Sequence, residues 1–118
     1  MAKEKDLENK VKQFLKDNGC WYVKYWGGGG YTRKGVPDLL ICCNSVFVAV
    51  ELKASKGRPS PLQIRELHRF RESGGIAVLL YPKDLQTFQH LITALEARNK
   101  KIIRDCKKIF EERIKEYE

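Results

Sequence analysis

The sequence predicts an α/β fold in which helices cover both sides of a central β-sheet. Two runs rich in β-forming residues, 39–43 and 46–52, flank the turn signal Asn44-Ser45 and indicate a β-hairpin. A later run, 76–81, is apolar at every position, as in a strand buried on both faces. Segments with apolar residues at helical spacing surround these strands. Alternating elements of this kind are typical of a sheet with helical layers.

The predicted order is one helix, three strands, a helix, a strand and two further helices. The first helix is expected from about Glu4 to Asn18, with Gly19 in the position that ends it. The other elements are a strand at residues 21–26, the two hairpin strands, a helix that begins at Ser60-Pro61, a strand at 76–81, and helices at 84–98 and 100–117. We expect a single domain over residues 1–118, in which residues 84–118 form C-terminal helices.

The composition favours a nucleic-acid partner. The net charge is +8 and the isoelectric point is about 9.4, which suits a polyanion, although a solvated lysine-rich surface gives the same count. No stretch approaches the roughly 18 apolar residues of a membrane span. The start of the chain leads into a charged helix, so we expect neither a signal peptide nor secretion.

The four cysteines predict a reduced protein. Cys20, Cys42, Cys43 and Cys106 lack Cys-x-x-Cys spacing and have no histidine nearby, so no zinc site is expected. They read as small core residues of a cytosolic protein.

Two short motifs predict a metal site. In a symmetric hairpin centred on Asn44-Ser45, paired residue numbers sum to 89, which places Asp38 opposite Glu51 with Cβ atoms about 5 Å apart. Lys53 lies on the same face, two residues beyond Glu51. Carboxylates this close repel unless a cation lies between them, and oxygen ligands favour Mg²⁺ or Mn²⁺. Either motif alone fits an ordinary strand end, but the pair predicts metal-dependent phosphodiester hydrolysis.

These motifs resemble those of the PD-(D/E)XK nuclease superfamily. The fuller pattern closely resembles the VRR-NUC family, the virus-type replication-repair nucleases, between Glu8 and about Pro82; it consists of Gly35-Val36-Pro37-Asp38-Leu39, Glu51-Leu52-Lys53, Gly57 and Ser60-Pro61-Leu62-Gln63. The resemblance implies a restriction-endonuclease-like core, a mixed central sheet flanked by helices in the order αβββαβ, followed by C-terminal helices. It implies a location in the cytoplasm of a bacterial or phage-infected cell.

The resemblance also implies roles for individual residues. Asp38 and Glu51 would be metal ligands together with the backbone carbonyl of Leu52, and Lys53 would be the catalytic lysine. Gln63 and Glu8 are further candidates for the site, and Glu8 is a candidate metal ligand.

Gln63 and Glu8 each have an alternative explanation. Ser60, Pro61 and Gln63 form a capping-box pattern, and capping alone would explain Gln63, although it also lies on the apolar stripe of its helix. Glu8 and Lys12 have the spacing of an ordinary exposed ion pair.

Two basic loops flank the predicted site. Arg33 and Lys34 precede it and Lys56 and Arg58 follow it, so these four residues are candidate contacts to DNA phosphates, or solvated charges of flexible loops. The Gly27–Gly30 segment matches no nucleotide-binding motif, so no nucleotide cofactor is expected, but its backbone could approach a ligand closely.

The leading prediction is a Mg²⁺-dependent or Mn²⁺-dependent endonuclease that selects branched DNA such as Holliday junctions. Stand-alone members of the resembled family are often homodimers, and the C-terminal helix or the preceding one could supply the two-fold interface or pack on its own domain. The alternatives are a restriction-like or strand-end nuclease, and a non-catalytic DNA-binding or assembly module with the same fold.

Overall fold

The computed structural model describes residues 3–27, 30 and 32–118 and shows a mixed four-stranded sheet flanked by helices. In chain order the elements are α1 (Glu4–Asp17), β1 (Trp21–Lys24), β2 (Leu39–Cys43), β3 (Val46–Leu52), α2 (Pro61–Glu72), β4 (Ile76–Leu80), a 3₁₀ turn (Pro82–Asp84), α3 (Leu85–Ala97) and α4 (Lys100–Lys115). The strands lie in the order β1-β2-β3-β4; the first three are antiparallel and β4 runs parallel to β3. The predicted fold class and element order are confirmed.

The β2–β3 hairpin has the predicted register. Leu39 pairs with Val50 and Cys43 pairs with Val46, so the paired numbers sum to 89. Asn44 and Ser45 have φ angles of 49° and 72°, as a two-residue type I′ turn requires. The next step of this register is Asp38 opposite Glu51, so a local turn brings the two motifs together.

The main hydrophobic core lies on one face of the sheet, under α1, α3 and α4. The stripe of α4, Cys106, Phe110 and Ile114, is buried within the chain. A smaller cluster joins α2 to β4 on the other face, with Leu67 and Leu79 fully buried. Of the two alternatives for the last helix, packing on its own domain is therefore the one observed. These apolar residues of α4 pack against their own domain and are not exposed for contact with a partner.

Helices lie on both sides of the sheet, as predicted, but they cover one side incompletely. The face shared by Glu51 and α2 is covered over β3 and β4, because α2 has only 12 residues and packs against those strands. On the same face, Trp21 and Val23 of β1 are 57% and 40% exposed. Phe47 at the start of β3 is 51% exposed, although its ring packs edge-on against Phe70 of α2, with ring centres 6.1 Å apart. Strand β1 also ends at Lys24, two residues before the predicted end. Nowhere in the described part of the chain is a helix long and apolar enough to cross a membrane.

Candidate active site

The hairpin and the start of α2 bring five of the predicted site residues together. The Glu51 carboxylate accepts hydrogen bonds at Oε2 from Lys53 Nζ (3.2 Å) and Gln63 Nε2 (3.1 Å). Asp38, opposite Glu51, accepts a hydrogen bond at Oδ2 from the backbone amide of Leu52 (2.8 Å). Two carboxylates, an ammonium group and an amide thus meet at one end of β3.

The other oxygen of Glu51 is the unusual feature of this arrangement. The residue is 1% exposed, and among the described residues its Oε1 is the buried side-chain oxygen without a hydrogen-bond partner. Burial and the negative charge of Asp38 raise the pKa of Glu51 to about 8. Leaving such an oxygen unsatisfied costs about 1–3 kcal/mol. A donor set made only of oxygen atoms, with one of them unpartnered, fits a hard divalent cation.

The backbone of Leu52 turns toward the same point. In an extended strand the N–H and C=O of one residue point to the same side. The Leu52 amide donates to Asp38, whereas the next amide, Lys53 N, donates to Leu80 O of β4 (3.0 Å). The Leu52 carbonyl therefore points to the side of Asp38, as its predicted role as a ligand requires.

Both explanations for Gln63 hold at the same time. Its Oε1 accepts from Ser60 N (2.8 Å) while Ser60 Oγ accepts from Gln63 N (3.1 Å), which forms the predicted capping box. Its Nε2 donates to Glu51. One amide group caps α2 and contacts the site, so the cap sets the direction in which Nε2 points.

Glu8 is neither a surface residue nor in contact with Glu51. It is 3% exposed and forms ion pairs with Lys12 (2.8 Å), Lys5 (3.3 Å) and Lys24 of β1. Burial acts to raise the pKa of Glu8, but the hydrogen bonds from these lysines outweigh it and hold the pKa at about 2. The predicted pair with Lys12 exists, in a buried cluster.

Glu4 is a carboxylate near the site that sequence reasoning missed. It lies in the exposed first turn of α1, yet partial burial of its carboxyl group and the charge of Asp38 raise its pKa, while Lys53 and Lys24 lower it. This coupling places Glu4 within electrostatic range of the candidate site. The available signal was its position one helical turn before Glu8, on the same side of α1.

The four predicted DNA contacts differ in their surroundings. Arg33 is paired with Glu66 of α2, and its backbone carbonyl accepts from Tyr25 Oη (2.9 Å). Lys34, Lys56 and Arg58 are exposed. The predicted close approach of the Gly27–Gly30 backbone to a ligand falls partly on residues 28 and 29, which lie outside the described residues.

The fold also brings together cysteines that lie far apart in sequence. The Sγ atoms of Cys20 and Cys43 are 3.4 Å apart, and together with Glu96 they form a cluster of ligand atoms within 4.8 Å of one another. Burial raises the pKa of both thiols, that of Cys43 to about 12, so they are protonated at neutral pH. The spacing rule that excluded a zinc site did not detect this proximity, because the β1–β2 pairing creates it.

Comparison with known proteins identifies the family of the chain. The chain matches the family model described as archaeal Holliday junction resolvase (hjc) over residues 1–115. A protein named as a candidate nuclease, p44, from Acyrthosiphon pisum secondary endosymbiont phage 1 is 30% identical over 88 residues, which are 74% of this chain and 91% of that protein. The chain therefore belongs to the archaeal Holliday junction resolvase family, a nuclease family of the PD-(D/E)XK type.

Proposed function

We propose that this nuclease is a divalent-metal-dependent endonuclease that hydrolyses phosphodiester bonds in branched DNA, Holliday junctions included. The observation that carries the proposal is the buried Glu51 carboxylate, with one unpartnered oxygen beside Asp38 and Lys53. A structural ion pair would satisfy both oxygens, whereas a binding site leaves one free for a ligand. The family match supports DNA as the substrate and a junction as its shape.

Asp38 and Glu51 would hold the ion through their side chains, and Leu52 through its carbonyl. Mg²⁺ suits this set because it commonly takes one or two carboxylates and fills its other positions with water and substrate phosphate oxygens; Mn²⁺ has similar preferences. When bound, the metal would lower the pKa of a water molecule and offset charge that develops on the phosphate.

Lys53 and Gln63 would act on the groups around this ion. The Lys53 ammonium group, held at Glu51 Oε2, would orient the attacking water or neutralise charge on the phosphate. Gln63 donates to the same oxygen, so the two donors fix the rotation of the Glu51 carboxylate and leave its Oε1 free to bind the metal. Fixed donors of this kind need little reorganisation during the reaction.

Glu8 stays a predicted contributor with a specific requirement. Its carboxylate would have to release one of its three lysines before it could bind a metal or a metal-bound water. Glu4, which senses the charges of Asp38 and Lys53, is the other α1 carboxylate that could meet the substrate side of the site.

We also propose a homodimer, because a four-way junction presents two symmetric strands to be cut, whereas the described residues of one chain form one candidate active site. With the α4 stripe buried, the exposed face formed by Trp21, Val23 and Phe47 is the better surface for a second copy.

Sedimentation equilibrium at micromolar concentration should find a dimer that Phe47→Lys weakens while Lys16→Ala does not. A strictly monomeric wild type would contradict this part of the proposal.

Two finer assignments belong to this proposal. The closer likeness to the VRR-NUC type rests on Gly57 and on the capping box from Ser60 to Gln63, and it stays a prediction, as does the cytoplasmic location.

A restriction-like or strand-end nuclease would use the same groups on other DNA. A non-catalytic module is disfavoured because Asp38, Glu51 and Lys53 are all present and in contact range.

The test is cleavage of labelled four-way, flapped, duplex and single-stranded DNA with Mg²⁺, Mn²⁺ or EDTA. Asp38→Asn and Lys53→Ala should each lower the cleavage rate at least about 100-fold. Lys16→Ala, which removes an exposed lysine at the far end of α1, should cut like wild type. Preference for four-way DNA would support the junction assignment, and equal cutting of duplex would favour a restriction-like role. No cleavage with either metal, or unimpaired Asp38→Asn and Lys53→Ala variants, would contradict metal-dependent catalysis at this site.

A further inference from the structure

We propose that a cleft beside Lys53 binds the DNA phosphate that neighbours the cut one on the same strand. This inference rests on the proposed function, because it assigns a second contact for the strand held at Asp38 and Glu51. The cleft has a volume of about 290 Å³ and lies between the loop after β3, the end of β4 and the last turn of the chain. Its lining includes Lys56, Gly57, Arg58, Tyr81, Lys83 and Tyr117.

The strand pairing places this cleft next to the site. Strands β3 and β4 pair in parallel with Leu52 beside Leu80, and Lys53 N donates to Leu80 O. Tyr81 is therefore the neighbour of Lys53, on the same face and one strand spacing away, about 4.8 Å. Successive phosphates of one DNA strand are separated by a single nucleotide. Since Tyr81 lines the cleft and is the neighbour of Lys53, a strand with one phosphate at Lys53 would carry an adjacent phosphate toward the cleft.

The charges of the cleft suit a phosphate. Lys56, Arg58 and Lys83 are exposed at its rim and face a single acidic lining residue, Glu116. The Arg58 guanidinium lies 5.6 Å from the ring centre of Tyr117, and Lys83 Nζ lies 5.9 Å from that of Tyr81. Cations held over aromatic rings lose less side-chain freedom when they bind an anion.

The tyrosine hydroxyl groups connect the cleft wall to the Lys53 loop. Tyr81 Oη lies 2.9 Å from both Gly57 O and Tyr117 Oη. Because a carbonyl only accepts, Tyr81 donates to Gly57 and Tyr117 donates to Tyr81. Gly57 packs closely on the loop, since a Cβ there would lie 3.4 Å from Lys53 Cδ. The same wall that holds the cations therefore supports the loop that carries Lys53.

An ion pair behind the cleft also supports it. Arg113 of α4 donates to both carboxylate oxygens of Asp84, at 2.9 and 3.1 Å, and Asp84 is 4% exposed. This bidentate contact ties the turn that carries Lys83 to α4. Each tyrosine ring already has a cation over it and both hydroxyl protons are used within the wall, so the cleft offers positive charges and not an open ring for stacking a base. A backbone phosphate is the DNA group that matches this chemistry.

The first experiment measures binding of a labelled four-way junction in EDTA, without cleavage, as a function of salt. Lys83→Ala should weaken binding about five-fold and reduce the slope of log affinity against log salt by about 0.9, which corresponds to one lost phosphate contact. Lys16→Ala makes the same charge change at the far end of α1 and should leave the slope unchanged.

The second experiment replaces single phosphates near the cleavage position by neutral methylphosphonates. Wild type and Lys16→Ala should bind DNA with a neutral phosphate next to the cut more weakly than unmodified DNA. Lys83→Ala, which has already lost this contact, should bind the two DNAs with nearly equal affinity. If wild type binds and cuts junctions but Lys83→Ala and Lys16→Ala behave alike in both experiments, the cleft assignment is wrong and the proposed function stands. If wild type neither binds nor cuts any DNA, the proposed function itself is wrong.

Discussion

Glu51→Gln is expected to lower DNA cleavage about 1,000-fold and, in the same protein, to raise stability at pH 8 in the absence of metal. Loss of one charged ligand from a catalytic site typically removes several kcal/mol of transition-state stabilisation. The gain in stability arises because the buried carboxylate, next to Asp38, is costly to ionise. Glutamine has nearly the same shape as glutamate, and its side-chain oxygen can still accept hydrogen bonds from Lys53 and Gln63, but it carries no charge.

The raised pKa of Glu51 determines whether its contribution to stability rises or falls with pH. The pKa of Glu51 is raised to about 8 from its ordinary value of 4.5, so the folded protein binds the extra proton between these values. Its contribution to stability is present below pH 4.5 and is lost as the pH rises through about 8. The loss is at most about 1.4 kcal/mol per pH unit for one proton.

Urea denaturation in EDTA at several pH values measures this contribution. The difference in unfolding free energy between Glu51→Gln and wild type should grow in favour of the variant from pH 5 to pH 8, by roughly 1–3 kcal/mol. Glu112→Gln, an exposed substitution on α4, should show no such trend. A variant that is less stable than wild type at pH 8 would mean that the Glu51 charge is already satisfied without metal.

Gly35→Ala is expected to destabilise the protein by roughly 2–4 kcal/mol and to reduce cleavage as well. Gly35 has a φ of +79°, and a Cβ there would lie 2.8 Å from Leu62 Cγ and 2.9 Å from the backbone oxygen of Leu62. The backbone of α2 cannot yield cheaply, because Gln63, the next residue, both caps this helix and holds Glu51. Relief of the clash would therefore move Asp38 and Gln63 apart.

A matched substitution separates the strain of the backbone from the clash. Gly19 has a φ of +68° and nothing within 4 Å of an added Cβ. Gly19→Ala should cost only about 1–2 kcal/mol and leave the cleavage rate unchanged. Thermal denaturation and cleavage of the preferred DNA measure both variants. Equal effects of the two substitutions on stability and activity would show that close packing between Gly35 and Leu62 is not what makes this position sensitive.

Local interactions explain why much of the site was predictable. A two-residue turn with positive φ at Asn44 and Ser45 sets the hairpin register, and register alone places Asp38 opposite Glu51. The capping box of α2 likewise depends on four consecutive residues, from Ser60 to Gln63. In both cases the energetics lie within a few residues of chain, so the pattern in the sequence is sufficient.

Long-range contacts explain what was missed or left open. Whether Glu8 faces solvent or the sheet depends on Lys24, which lies 16 residues away. Arg33 looked free to bind DNA, but it is paired with Glu66 of α2. The exposure of Trp21 and Val23 depends on how far a 12-residue helix reaches across the sheet. The spacing of residues in the sequence does not reveal these contacts, because they join segments that meet only in the folded protein.

By itself, the sequence determined the order of elements, the hairpin register and the set of Asp38, Glu51 and Lys53, because turn geometry and strand periodicity are local properties. Only the tertiary structure decided that one Glu51 oxygen is buried without a partner, that Gln63 joins the helix cap to the site, and that Tyr81 and Tyr117 support a basic cleft beside Lys53. These features depend on α2, β4 and the end of α4 meeting at one edge of the sheet. Burial and the removal of water, which give the carboxylate its raised pKa, arise only when those elements pack together.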